Sequence, residues 1–347
     1  MAYTTIDDPA IYFNTIIYTG DGSGATVSGV GFQPDLNWTK QRSGTESHYL
    51  VDAVRGVTKT LYTVDTSVPD TIVNSLTAFN SDGYVHGDLN AYAQSSITFV
   101  SWNWKANGAG SANTDGSINT TKTSANTTSG FSIITYTGDG NASATIGHGL
   151  GAKPSLIINK NLTDNGYDWN VQHGSLGATK YLYLSTTAAV ATNAGMWNDT
   201  EPTSSLFTIG TWDNVNKSSS TYLAYVFAPI QGFSKMGSFE GNSNTDGPFI
   251  YTGFTPSMIL YKNADYAENW HIQSLAQESI NPNNNQITPN MNYAESSDAN
   301  TNIDFLAQGF KMRSSHRTSN YGGDTIIYAA FAAAPFVNSN GVPCNAR

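Results

Sequence analysis

The stretch Pro34-Asp35-Leu36-Asn37-Trp38-Thr39-Lys40 recurs as Pro154-Ser155-Leu156-Ile157-Ile158-Asn159-Lys160 and as Pro256-Ser257-Met258-Ile259-Leu260-Tyr261-Lys262. Each copy follows a glycine and an apolar residue: Gly31-Phe32, Gly149-Leu150 and Gly253-Phe254. Upstream, Phe13, Phe131 and Phe233 each open an alternating stretch. These end in Thr19-Gly20-Asp21-Gly22, Thr137-Gly138-Asp139-Gly140 and Glu240-Gly241-Asn242. Downstream lies a middle segment, His48-Tyr49-Leu50-Val51, Trp169-Asn170-Val171-Gln172 or Trp270-His271-Ile272-Gln273. An aromatic segment closes each copy: Phe99 to Trp104, Tyr222 to Phe227 and Tyr328 to Phe331. Four anchors in one order, met three times, mark an internal repeat of roughly a hundred residues.

Within each copy, short runs alternate apolar and polar residues between Gly, Asn and Asp turns, as in Phe131 to Tyr136 and Lys180 to Ser185. Period-two alternation rich in β-branched and aromatic residues specifies strands. Many short strands at regular spacing specify sandwiches. The expected fold is all-β, with three tandem β-sandwich repeats of a jelly-roll or lectin-like kind. The expected division is an N-terminal anchor tail 1–12, repeats at 13–106, 131–232 and 233–336, and a C-terminal tail 337–347. Residues 107–130, almost all Gly, Ala, Ser, Thr, Asn and Asp, read as a flexible linker. The short junction 228–232 predicts that the second and third repeats pack together. Single helical turns are expected at 71–76 and 186–192.

Composition narrows the function. Charged residues are 12% of the 347, against about 25% in ordinary soluble proteins. With net charge −10 and only 16 Lys and Arg, there is no basic run to neutralise phosphates. Nucleic acid and anionic membranes are therefore poor partners. The one cysteine, Cys344, supports neither an internal disulfide nor a zinc cluster. The start Met1-Ala2-Tyr3-Thr4-Thr5-Ile6-Asp7-Asp8 has no signal-peptide pattern, so synthesis in the cytoplasm without secretory export is expected.

No catalytic, cofactor or metal motif emerges. Gly147-His148-Gly149-Leu150-Gly151 opens no helix and reads as a turn rather than a phosphate cradle. The carboxylate pairs Asp265/Glu268 and Glu46/Asp52 read as solvated loop residues rather than a glycosidase acid pair. His48, His173 and His271 sit at different offsets in the repeat, which fits packing better than a metal site. The Asp-Gly pairs at 21–22, 115–116, 139–140 and 246–247 read as turns. Trp38, Trp102, Trp104, Trp169 and Trp270 are assigned to cores. Trp197 and Trp212, in Asn/Asp/Thr-rich loops, are the candidate glycan or partner contacts, because an exposed loop tryptophan can stack on a sugar or anchor a protein.

The stretches "MAYTTIDDPAIYFNTIIYTGDGSGA", "GFQPDLNWTKQRSGTESHYLVDAVRGVTKTL", "TSGFSIITYTGDGNASATIGHGLGAKPSLII" and "DGPFIYTGFTPSMILYK" resemble a repeat module of tail and virion-associated structural proteins of marine bacteriophages. The resemblance covers nearly the whole chain. It departs at Asn37 and Thr39, where that family usually carries apolar residues, and in the third repeat, which lacks a counterpart of Asp52-Ala53-Val54-Arg55-Gly56. It implies a non-enzymatic structural protein on the particle exterior: a tail fibre, a spike, or a capsid-attached fibre or decoration. Its expected partners are other virion proteins, copies of itself (a homotrimer by analogy with fibres), and host-surface glycans. A lectin-like glycan-binding module is the alternative, with a tail depolymerase behind it.

Overall fold

A computed structural model describes residues 3–344. The first segment contributes β1 (Phe13–Thr19), β2 (Ala25–Ser28), β3 (Leu36–Gln41), β4 (Tyr49–Asp52), β5 (Lys59–Tyr62), β6 (Asp70–Thr71), β7 (Leu76–Asn80), β8 (Gly83–His86) and β9 (Thr98–Trp104). The second contributes β10 (Lys122–Asn126), β11 (Phe131–Thr137), β12 (Ala144–Gly147), β13 (Leu156–Asn161), β14 (Asn170–His173), β15 (Lys180–Tyr183), β16 (Ala191–Thr192), β17 (Leu206–Ile209) and β18 (Thr221–Phe227). The third contributes β19 (Ser234–Glu240), β20 (Phe249–Tyr251), β21 (Phe254–Asn263), β22 (His271–Ser274), β23 (Asn285–Gln286), β24 (Ser296–Ser297), β25 (Ile303–Leu306), β26 (Gly309–Met312) and β27 (Thr325–Pro335).

One strand order recurs. The large sheets run β1-β9-β3-β4-β5-β6, β10-β11-β18-β13-β14-β15-β16 and β19-β27-β21-β22. In each, the segment's last long strand lies between the opening strand and the Pro-x-apolar strand. Small antiparallel sheets, β2-β8-β7, β12-β17 and β20-β26-β25, cover the outer faces. The chain is thus all-β and built as sandwiches.

The central strands of the large sheets are buried on both faces. β3 and β13 have no exposed residue. On one face, alternate residues meet across all three segments: Leu36, Trp38, Leu156, Ile158, Met258 and Leu260 belong to one core. At its centre, Trp104, Phe227 and Phe331 form a triangle of rings with centroids 6.2, 5.5 and 5.7 Å apart. Each pairs with the same position of its own sheet, Leu36, Leu156 and Met258. The three segments therefore close around one axis instead of stacking in line. Burying side chains of this size contributes about 1.5–3 kcal/mol each.

The other face of each large sheet meets its small sheet in a separate core. In the first segment this face carries Asn37 and Thr39, which enter a closed network. Asn37 donates to Asn103 (2.9 Å), Thr39 donates to Asn37 (2.8 Å), and Asn103 donates to Ser101 (3.1 Å). Mutual hydrogen bonding is what makes buried amides tolerable there.

Several expectations change. Ser234, not Phe233, pairs with Phe331 and so occupies the position of Phe13 and Phe131. Phe233 is displaced one residue and buried beside Tyr12. Residues 107–130 are not a flexible tether. Asn126 accepts from the Thr128 and Ser129 amides, Gly130 turns at φ +69, and β10 returns antiparallel along β11. The helical turns fall at Asn90–Ala93, Ala194–Trp197, Asp213–Asn216 and Arg317–Asn320 rather than at 71–76 or 186–192, where short strands form instead.

The expected anchor tail 1–12 is, from Tyr3 onward, a strap across the third segment; Met1 and Ala2 lie outside the described residues. Tyr3 donates to the Gly253 carbonyl (2.8 Å), Thr4 to the Gln231 carbonyl (2.9 Å), and Ile6 is buried in the shared core. Asp7 accepts from both the amide and hydroxyl of Ser339 in the C-terminal tail, at 2.6 Å each. Of that tail, 345–347 lie outside the described residues.

Candidate functional site

The most developed polar constellation is the set of junctions between segments. Directly before β4, β14 and β22 stand His48, Trp169 and Trp270. Trp169 donates its ring N–H to the Tyr62 carbonyl (2.7 Å) and Trp270 donates to the Tyr183 carbonyl (2.8 Å). His48 Nε2 donates to the Thr288 carbonyl (3.0 Å), and its Nδ1 accepts from Trp38 (2.9 Å). The second segment thus holds the first, the third holds the second, and the first holds the third. The acceptors are also equivalent, since Tyr49 pairs with Tyr62, Asn170 with Tyr183, and Ile272 with Ile287 beside Thr288.

The lysine that ends each Pro-x-apolar stretch is buried in all three segments, and in the third it also crosses the junction. Lys40, Lys160 and Lys262 have no solvent exposure. Lys262 donates to the carbonyls of Glu268 (2.6 Å) and, across the junction, Thr187 (3.0 Å). Lys160 donates to Tyr167 (2.5 Å), and Lys40 to Gln41 and Gly44 (2.8 and 2.9 Å). Burial pushes all three ammonium groups down to about 8. Because burial disfavours the charged form, carbonyl acceptors are what let these lysines remain inside.

A second pair of contacts tightens two junctions. Asp52 accepts from Tyr225 of the second segment (2.9 Å) while paired with buried Arg55 (2.6 Å). At the equivalent position His173 donates to the Tyr328 carbonyl of the third segment (3.1 Å). The third junction uses Arg42 with Glu295 (2.6 Å).

These contacts relocate the sequence candidates. Asp52 lies on β4, fully buried, not in a solvated loop with Glu46. Asp265 accepts from the Thr325 amide (2.6 Å) and Glu268 from the Thr318 hydroxyl (3.0 Å). Trp197 is no loop contact. Asn193 caps the turn Ala194–Trp197, which folds Met196 and Trp197 into the second outer core with zero exposure. Trp212 is half-buried, edge-on to Tyr181 at 5.6 Å. The two tryptophans do not form one exposed surface. An exposed aromatic stack lies elsewhere: Tyr266 and Tyr321, 42% and 41% exposed, flank the Arg317 guanidinium at 3.8 and 4.2 Å. Among the described residues, no three His, Cys, Asp or Glu side chains converge as a metal site requires, and no helix is long and apolar enough to cross a membrane.

One family model matches residues 8–335, from Asp8, which caps a short 3-10 turn at Pro9–Ile11, to the end of β27. The chain belongs to this family, described as a domain of unknown function, DUF7483. The match spans all three segments, so the DUF7483 unit is the closed ring rather than a single repeat. No curated protein and no solved structure matches the chain.

His48, Trp169 and Trp270 stand out in the sequence as the repeat's middle anchor, but their junction role does not, because their acceptors are backbone carbonyls, which no side-chain type announces. The available signal was the lysine of the repeated stretch, a charge placed at one position of three strands that are otherwise buried.

Proposed function

We propose that this DUF7483 chain is a bacteriophage virion structural protein on the particle exterior, part of a tail fibre or spike or a capsid-attached fibre or decoration. The observation that carries this reading is the closure of three like sandwiches around one axis by a ring of equivalent contacts. Such a body presents three similar outer faces to symmetric neighbours, and its polar surface depends little on charge. The sequence resemblance to marine-phage modules points the same way. Its partners in this reading are other virion proteins and further copies of itself. Because one chain supplies three like units, no homotrimer is needed to build a threefold body.

The test is mass spectrometry of gradient-purified particles, followed by cryo-electron microscopy. The expected result is the chain present in fixed copy number, with triangular density on the tail or head shell. Absence of the chain from purified particles would overturn the proposal. Glycan binding is the second reading, favoured by the exposed Tyr266–Arg317–Tyr321 stack, since aromatic faces bind sugar rings. Screening the chain on immobilised glycans separates the two.

A further inference from the structure

The three large sheets end differently on the side of their opening strands. In the second segment, residues 117–126 cover that end. β10 adds antiparallel to β11, with Thr123 opposite Ile134 and Ser124 opposite Ile133. Just upstream, Ser117 and Thr145 of β12 exchange amide-to-hydroxyl bonds (2.8 and 2.9 Å). Ile118 donates to the Thr145 carbonyl (3.1 Å) and is buried in the outer core. One extended segment therefore seals the gap between the edge strands of both sheets, and Ile134 has no exposure.

In the first segment the same gap is open. β1 is the edge of its sheet, and among the described residues no strand pairs with its outer side. A cleft of about 270 Å³ lies between β1 and β2, lined by Ile16, Ile17, Tyr18, Thr26, Val27 and His86. Ile16, the counterpart of Ile134, is only half-buried. Thr26, the counterpart of Thr145, is exposed. Asn14 closes one end of the cleft by donating to the Val30 carbonyl (3.1 Å), which leaves Thr15 to Thr19 as the free edge. That edge carries no Lys, Pro or bulge, the devices that normally block strand addition. The third segment does use one: Lys235 of β19 reaches the Tyr251 carbonyl (2.6 Å) and lies over its ring at 5.6 Å.

We propose that the cleft between β1 and β2 receives an extended strand of a partner polypeptide, added antiparallel to β1 as residues 118–124 are added to the second segment. The chemistry of the occupant follows from that internal example: rich in Ser, Thr and Asn, with one cation, as Lys122 is there, and one aliphatic side chain buried behind β2. Main-chain hydrogen bonds supply the affinity and the aliphatic pocket the register. A second copy of this chain is the poorer donor, because its own 117–126 segment is already engaged. The inference rests on the fold alone and stands or falls independently of the particle reading.

The probe is a synthetic peptide of residues 115–126 (DGSINTTKTSAN), added to the full chain and followed by amide hydrogen exchange. Slowing of exchange across Thr15 to Tyr18 by about tenfold at saturation, with Ser234 to Glu240 unchanged, is expected. Thr26→Arg, at an exposed position, is expected to weaken this binding by about tenfold without changing the unliganded spectrum. No slowing at about 1 mM peptide, or equal slowing at β19, would overturn the proposal. Slowing that depends on protein concentration without peptide would assign the edge to a second copy and overturn the partner assignment.

Discussion

Trp104, Phe227 and Phe331 occupy one position of three sheets and meet at the axis. The outer edges of the same sheets, on the side of their opening strands, are finished in three ways: open at β1, covered by β10 at β11, and closed by Lys235 at β19. At the axis each residue contacts its counterparts in the other segments, so a change in one is felt by all three. At an outer edge each segment faces solvent alone and needs only a local solution. Shared contacts keep the axis alike, and their absence lets the edges differ.

The largest test of this contrast is Trp104→Ala. Removing a large aromatic from a filled core costs about 3–5 kcal/mol. If the axis makes the segments one cooperative body, calorimetry will show a single transition, displaced downward as a whole. A first segment that melts early while the other two keep their midpoint would break the comparison.

A graded effect is expected from acid. His48 and His173 are held neutral by their partners as well as by burial. His48 Nδ1 accepts from Trp38, His173 Nδ1 accepts from the Ser175 amide (3.3 Å), and each Nε2 donates to a carbonyl of another segment. Protonation would destroy the accepting side. Burial pushes His173 down to about 4 and His48 well below its ordinary value of 6.5. Between 4 and 6.5 the unfolded chain binds more protons than the folded one, so stability falls as pH drops through this window. The limit is about 1.4 kcal/mol per pH unit for each such histidine. Urea titrations at pH 7 and pH 4.5 should show the loss, and His173→Gln should reduce its pH dependence. An unchanged slope in that variant would remove His173 from the account.

The sequence made the axis legible and the edges illegible for the same physical reason. The Pro-x-apolar strands and the closing aromatic strands face a shared core, so their residue types repeat, and β3, β13 and β21 fall where the pattern places them. Position Phe233 misled because the third segment shifts its register by one residue, a change that backbone pairing reveals and residue type does not. Residues 107–130 have a linker's composition, yet small polar side chains are also what a strand needs to lie flat across two sheet edges. Trp197 was misplaced because its polar neighbours cap and turn the chain while the tryptophan itself points inward. The ring itself was unreadable, since Tyr62, Tyr183 and Thr288 contribute only their carbonyls.

The smallest expected effect on stability sharpens the comparison most. Lys235→Ser removes a partly exposed cation from the β19 edge, with its hydrogen bond to the Tyr251 carbonyl and its contact with that ring. An exposed cation–π contact is worth about 0.5–1 kcal/mol, so the melting midpoint should move little. The edge should nevertheless change character. With the lysine gone, β19 presents an unguarded row of main-chain groups beside β20, as β1 does beside β2. Peptide-induced slowing of amide exchange, confined to Thr15 to Tyr18 in the parent chain, should then extend to Ser234 to Glu240. If β19 stays unprotected while the variant remains folded, Lys235 is not what distinguishes the two edges. The strap of Tyr3 onto Tyr251 (3.2 Å) and Gly253 would then be the remaining barrier to strand addition at that end.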